Sequence, residues 1–148
     1  MVTNKYFSLI LLAASLFTAH TRADTSSIVG AWKSIDDNTG KPRSIVRISQ
    51  NAGLYDGMIE KGFHEPNEDP NPKCDKCQGE LKDQPIIGMK IINQLKKHED
   101  EYKDGTIMDP DNGKIYQCKL WLEDDGKKLK VRGYIGPLFR TQTWLRVE

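Results

Sequence analysis

A chain of 148 residues is one domain's worth, and its 22 Lys and Arg against 21 Asp and Glu leave a net charge of only +1. That balance argues against nucleic acid as partner, since phosphate neutralisation needs a basic face. With 37% hydrophobic residues the chain can bury one modest core and has no room for a second.

The first stretch, Met1 to Ala23, carries Lys5 in a short polar start, an apolar run from Tyr6 to Phe17 and a polar segment ending Thr21-Arg22-Ala23. These are the parts of a secretory signal, with cleavage expected after Ala23. The apolar run is shorter than the ~20 residues a membrane span needs, so no integral membrane association is expected. Cleavage would remove Lys5 and Arg22, leaving 20 basic against 21 acidic side chains on residues 24–148. No Cys stands near the cut to accept a lipid. The expectation is an exported, soluble protein, periplasmic or secreted, with a single domain over 24–148.

Along that domain, turn-rich clusters recur at short intervals: Asp37-Asn38-Thr39-Gly40, Asn51-Ala52-Gly53, Asp109-Pro110-Asp111-Asn112-Gly113 and Asp124-Asp125-Gly126. Each is flanked by β-branched or aromatic runs, the pattern of short strands in hairpins. Eight strands are predicted, at 28–35, 43–49, 54–63, 87–95, 101–108, 114–123, 127–135 and 140–147. Alternation is clearest late in the chain. Tyr116, Cys118, Leu120 and Leu122 share one face, and Leu129, Val131, Gly133 and Ile135 another, opposite Lys128, Lys130, Arg132 and Tyr134. One face is therefore core and the other wet. The segment 86–95 is ambiguous, because Ile86, Ile87, Met89, Ile91, Ile92 and Leu95 also fit one face of a short helix; its β-branched content favours a strand.

From Phe63 to Pro85 runs a polar stretch with Pro66, Pro70, Pro72 and Pro85, Cys74 and Cys77. An irregular segment of about twenty residues in so small a domain is usually functional or cross-linked. Eight short antiparallel strands leave two open edges unless the sheet closes, and closure alone removes them. The predicted fold is all-β, an eight-stranded antiparallel up-and-down barrel, whose interior is either filled by side chains or just wide enough for one small ligand.

Gly30-Ala31-Trp32 on the first strand, with Arg146 near the end of the last, resembles the closing device of lipocalins and related calycin barrels. The resemblance implies that Trp32 plugs one end and Arg146 packs across it, both in structural roles, an arrangement cation–π attraction favours by ~0.5–2 kcal/mol. The chain is also similar to a bacterial envelope family, domain of unknown function 2147. The motifs that carry this are Gly30 to Trp32, Asp69-Pro70-Asn71-Pro72-Lys73-Cys74-Asp75-Lys76-Cys77-Gln78-Gly79, Pro85 to Gly88, Asp109-Pro110 through Gly113-Lys114, Val131 to Gly136 and Arg140 to Trp144. That family implies a lipocalin-like barrel and no established activity. The turn Gly136-Pro137-Leu138-Phe139 departs from its pattern, being shorter and lacking a Gly before Arg140.

Cys74-Asp75-Lys76-Cys77 admits three readings. A thioredoxin-type redox pair belongs at a helix N-terminus beside a βαβ unit, whereas this one lies in a Pro-rich loop. A structural zinc would need Cys118 and His64 to complete four ligands, although Cys118 points inward by alternation; no metal site is expected. A loop disulfide suits an oxidising compartment and the reach of a four-residue turn. The expected pairing is Cys74 with Cys77, leaving Cys118 a free buried thiol, with a link from Cys118 to either of the others left open.

Carboxylate pairs such as Asp36-Asp37, Glu99-Asp100 and Asp124-Asp125 fall in turns, where Asp caps backbone amides. Asp109 to Gly113 lacks the later Glu of a calcium loop, since position 120 is Leu. No nucleophile elbow or phosphate loop occurs, so neither enzyme chemistry nor a cofactor is expected. Two functions compete. The first is binding of a small apolar or amphipathic molecule in a barrel cavity opposite Trp32, with Tyr55, Ile59, Tyr116, Leu120, Leu129 and Val131 as candidate lining residues. The second is an envelope interaction or maintenance role, with a filled barrel and a protein partner of unknown identity docking on the 64–85 loop or on Trp121 and Tyr134, both expected to be exposed.

Overall fold

The turn clusters end the strands close to where their residue types demand. The computed structural model describes residues 25–147; the leader expected over 1–23 lies outside them. The strands are β1 (Gly30–Ile35), β2 (Pro42–Asn51), β3 (Leu54–Gly62), β4 (Lys90–His98), β5 (Glu101–Asp109), β6 (Lys114–Glu123), β7 (Lys128–Ile135) and β8 (Leu138–Arg146), with one 3-10 turn at Gly79–Leu81. Every strand pairs antiparallel with the next, and β1 pairs with β8 through Trp32↔Arg146 and Lys33↔Leu145, closing the barrel. Closure leaves no sheet edge open.

Two expectations are adjusted. The ambiguous segment is a strand, but β4 runs from Lys90 to His98 rather than over 87–95. Its first residues instead form a turn, in which Gly88 N–H donates to Ile59 O and Met89 O accepts from Ile59 N–H. Gly88 takes a left-handed backbone conformation, φ 89°, which ends regular pairing there. At the other end, β8 begins at Leu138 rather than 140, because the two-residue turn Gly136-Pro137 lets pairing run to Ile135↔Leu138.

The barrel is filled in one half. Ile28 and Trp32 are wholly buried beside β1, and Ile48, Leu95, Leu120 and Leu129 complete a fully buried layer. Tyr55 and Tyr102 meet edge to face there, with ring centroids 4.8 Å apart, a geometry the ring quadrupoles favour. Across this end lies Arg146, its guanidinium 4.2 Å from the Trp32 ring centroid. Its Nε donates to Gly126 O at 2.6 Å and an Nη to Ser27 O at 2.7 Å, while Trp32 Nε1 donates to Ile28 O at 2.8 Å. The β6–β7 turn, the residues before β1 and the last strand are thereby tied into one plug.

Candidate functional site: the cavity and its mouth

Above the filled layer the barrel is hollow. A cavity of about 1120 Å³, counting the space between the mouth loops, opens at the end away from Trp32, somewhat above the roughly 300–1,000 Å³ typical of small-molecule sites. Its inner wall carries Ile59 of β3, Ile91 of β4, Ile107 of β5, Val131 of β7 and Trp144 of β8. The deep polar groups satisfy one another. Ser34 and Ser44 share a hydrogen bond of 2.7 Å, and Gln142 Oε1 accepts from Trp144 Nε1 at 3.1 Å.

Of the candidate lining residues, Ile59, Tyr116 and Val131 line this space. Tyr55, Leu120 and Leu129 do not, which corrects that expectation: all three are buried in the filled half. Period-two alternation identifies the inward face of a strand but not height along the barrel, and these three lie on the Trp32 side. Burial accordingly raises the Tyr55 hydroxyl above the usual phenol range, with Tyr102 adding to it.

The long segment between β3 and β4 forms a strap along one wall. Pro70, Pro72, Ile86 and Ile87 face the cavity, and the strap is laced by Cys74 N–H to Gln84 O, Asp83 N–H to Cys74 O and Ile86 N–H to Pro72 O. Cys74 and Cys77 form a disulfide. Both are buried against the β5–β6 hairpin, Cys74 Sγ 3.5 Å from Pro110 O and Cys77 Sγ 3.8 Å from Met108 Sδ. Gly113 in that hairpin (φ 70°) has no side chain for a reason, since a Cβ would collide with the Lys76 carbonyl. Cys118 is free and inward, and burial pushes its thiol up to about 12. With two thiols joined and the third inside the barrel, the Cys3His zinc set is not assembled, and among the described residues no group of three or more His, Cys, Asp or Glu could hold a metal.

Three loops and the first residues of β2 and β8 bring charge to the mouth. Lys41 pairs with Glu65 at 2.6 Å, Arg140 with Asp37 at 2.6 Å, and Arg43 with Asp111. Lys41 holds the Glu65 carboxyl below the usual range, and the Thr39 backbone N–H does the same for Asp36. Beside these groups the β7–β8 hairpin presents an apolar lip, with Leu138 72% and Phe139 60% exposed. Sequence reasoning missed this mouth, because its members are far apart in the chain and each reads locally as turn chemistry. Trp121 and Tyr134, considered as docking aromatics, are half-buried on the outer wall. Arg132 lies 5.0 Å from the Trp121 ring centroid and 4.3 Å from that of Phe139, and Tyr134 is 6.1 Å from Phe139.

An eight-stranded antiparallel barrel, plugged by a Trp and an Arg at one end and hollow at the other, is the architecture of a lipocalin-like protein. The chain belongs to the DUF2147 family, described as "Uncharacterized protein conserved in bacteria", which it matches over residues 30–146. It is similar to a solved structure from Helicobacter pylori, titled "Protein HP1028 from the human pathogen Helicobacter pylori belongs to the lipocalin family". The TM-score is 0.68 at 19% identity, over 82% of this chain and 84% of that one; at that identity the likeness is one of fold. No curated protein matches. Among the described residues no helix is long and apolar enough to cross a membrane.

Proposed function

We propose that this is an exported, soluble binding protein that holds one small apolar or amphipathic molecule in the barrel, its hydrocarbon part inside and its polar part at the mouth. The observation that carries the reading is the cavity of about 1120 Å³, walled by isoleucines, Val131 and Trp144, open at one end and stopped at the other by a filled layer. Removing apolar ligand surface from water there is favourable by roughly 25 cal/mol per Å² before association costs. Binding rather than catalysis fits the inner wall, whose polar groups Ser34, Ser44 and Gln142 are occupied with neighbours. The strap's use as a cavity wall favours this reading over one in which the 64–85 segment is a free docking arm. The leader-like residues 1–23 and the disulfide support export.

The test uses the neutral fluorophore N-phenyl-1-naphthylamine and the substitution Gly133→Phe. Gly133 lines the cavity, and a Cβ there would meet Tyr116 and Ile107 at ordinary distances of 3.5–3.8 Å, so a larger side chain starts from an unclashed position on the cavity wall. The wild-type protein should bind the fluorophore one to one with enhanced emission, and Gly133→Phe should weaken this at least about tenfold, or 1.4 kcal/mol, while melting normally. Absent 1:1 binding, or binding that Gly133→Phe leaves intact, would reject the proposal.

A further inference from the structure

We infer that the molecule held by the barrel carries a positive head group: a cationic amphiphile, with a primary or quaternary ammonium on a hydrocarbon body. This rests on the cavity reading above and adds the sign of the ligand's charge.

The mouth is acid-rich in a chain whose charges balance overall. Six carboxylates line the cavity and its rim against three Lys and Arg side chains, Lys41, Arg43 and Arg140. Each of those cations already has a carboxylate partner in Glu65, Asp111 and Asp37, respectively. An anionic head group would have to displace one of these partners and would still face the remaining acids.

The other lining carboxylates are held differently. Asp36 accepts from the Thr39 and Asn38 backbone N–H groups at 2.8 and 3.0 Å, with Arg43 only at 3.9 Å. Glu68 accepts from Glu65 N–H at 2.8 Å and Asp69 from Asn71 N–H at 2.8 Å. Asp109 accepts from Asp111 N–H at 3.0 Å and from the Asn112 side-chain amide at 3.0 Å. Neutral donors fix these oxygens in place, and the mouth cations act on them more weakly than on their own partners: Lys41 on Glu68, Arg43 on Asp36, and Arg140 on Asp109 and Asp36. These carboxylates therefore act on whatever enters the mouth through both proximity and summed field.

The cavity beneath decides what kind of cation this is. A hydrated metal ion would find aliphatic walls there and, among the described residues, no ligating cluster. An ammonium on a hydrocarbon body places its apolar part against Ile59, Ile91, Ile107 and Val131 and leaves its charge level with the carboxylates.

Three amphiphiles sharing a twelve-carbon chain separate the head group from the tail: dodecylamine, 1-dodecanol and laurate, each titrated below its micellar range by displacement of N-phenyl-1-naphthylamine. The expected order at about 10 mM salt, where charges are little screened, is dodecylamine over dodecanol over laurate, with at least about tenfold between the two ions. At about 0.5 M salt that ratio should shrink several-fold. The double variant Glu68→Gln, Asp69→Asn keeps the acceptor oxygens for the backbone while removing two charges. It should weaken dodecylamine several-fold and leave dodecanol unchanged. Laurate binding as tightly as dodecylamine while dodecanol also binds would overturn the charge inference and leave the cavity reading standing. No binding of any of the three would overturn both.

Discussion

Replacing Trp32 by Ala tests whether the closed end is the fold's structural plug. The indole is wholly buried, donates to Ile28 O and lies under the Arg146 guanidinium. Truncating a buried Trp to Ala costs roughly 3–5 kcal/mol. Loss of the ring face from Arg146 adds to this within the ~0.5–2 kcal/mol of a cation–π contact, although its bonds to Gly126 O and Ser27 O persist. A loss of about 4 kcal/mol is expected, a large share of the roughly 5–15 kcal/mol that stabilises a small domain. Urea unfolding followed by far-ultraviolet circular dichroism measures it as a fall in midpoint at unchanged slope. The control is Trp121→Ala on the outer wall, where the ring is half-buried and stacked by Arg132; it should cost under about 1.5 kcal/mol. If the two substitutions cost the same, the plug is no more than another packed aromatic.

Reduction of the disulfide, or Cys74→Ser with Cys77→Ser, should lower stability by about 2 kcal/mol, the chain-entropy value for so short a loop, read as a fall in Tm. Cys118, buried and with its thiol pushed up to about 12, should resist alkylation at pH 8 in the native protein and react once per chain after unfolding. The carboxyls of Asp36 and Glu65 are held below their usual values, chiefly by the Thr39 N–H and by Lys41. A carboxyl whose folded pKa is depressed contributes stability above its unfolded pKa and loses it as pH falls through the folded one. Stability should therefore drop below about pH 4, and Asp36→Asn should flatten that acid limb in a series of urea midpoints against pH.

What could be seen in the amino-acid order was whatever is local or periodic. Turn clusters and period-two runs located all eight strands, and closure followed from the need to remove sheet edges. Trp32 and Arg146 stood out by resemblance, and the Cys74–Cys77 spacing suited a disulfide. Height along the barrel was not visible, because a strand's alternation repeats identically from one end to the other, and Tyr55, Leu120 and Leu129 were placed in the cavity for that reason. The Ile86 and Ile87 pair satisfied both a helix and a strand and belongs to neither, serving instead as strap wall. The mouth was the least visible part. Arg43 of β2, Glu65 of the strap, Asp111 of the β5–β6 turn and Arg140 of β8 lie far apart in the chain, and nothing local to any of them says that closing a barrel will bring them together.

The claim that the upper half of the barrel is a ligand site and the lower half is core is tested most directly by methyl and indole NMR spectra of the protein titrated with N-phenyl-1-naphthylamine. Binding should shift the Ile59, Ile91, Ile107 and Val131 methyls and the Trp144 indole N–H, which line the cavity, and leave the Leu120, Leu129 and Ile48 methyls in place. Shifts confined to the outer wall around Trp121, or no shifts at saturating fluorophore, would contradict it.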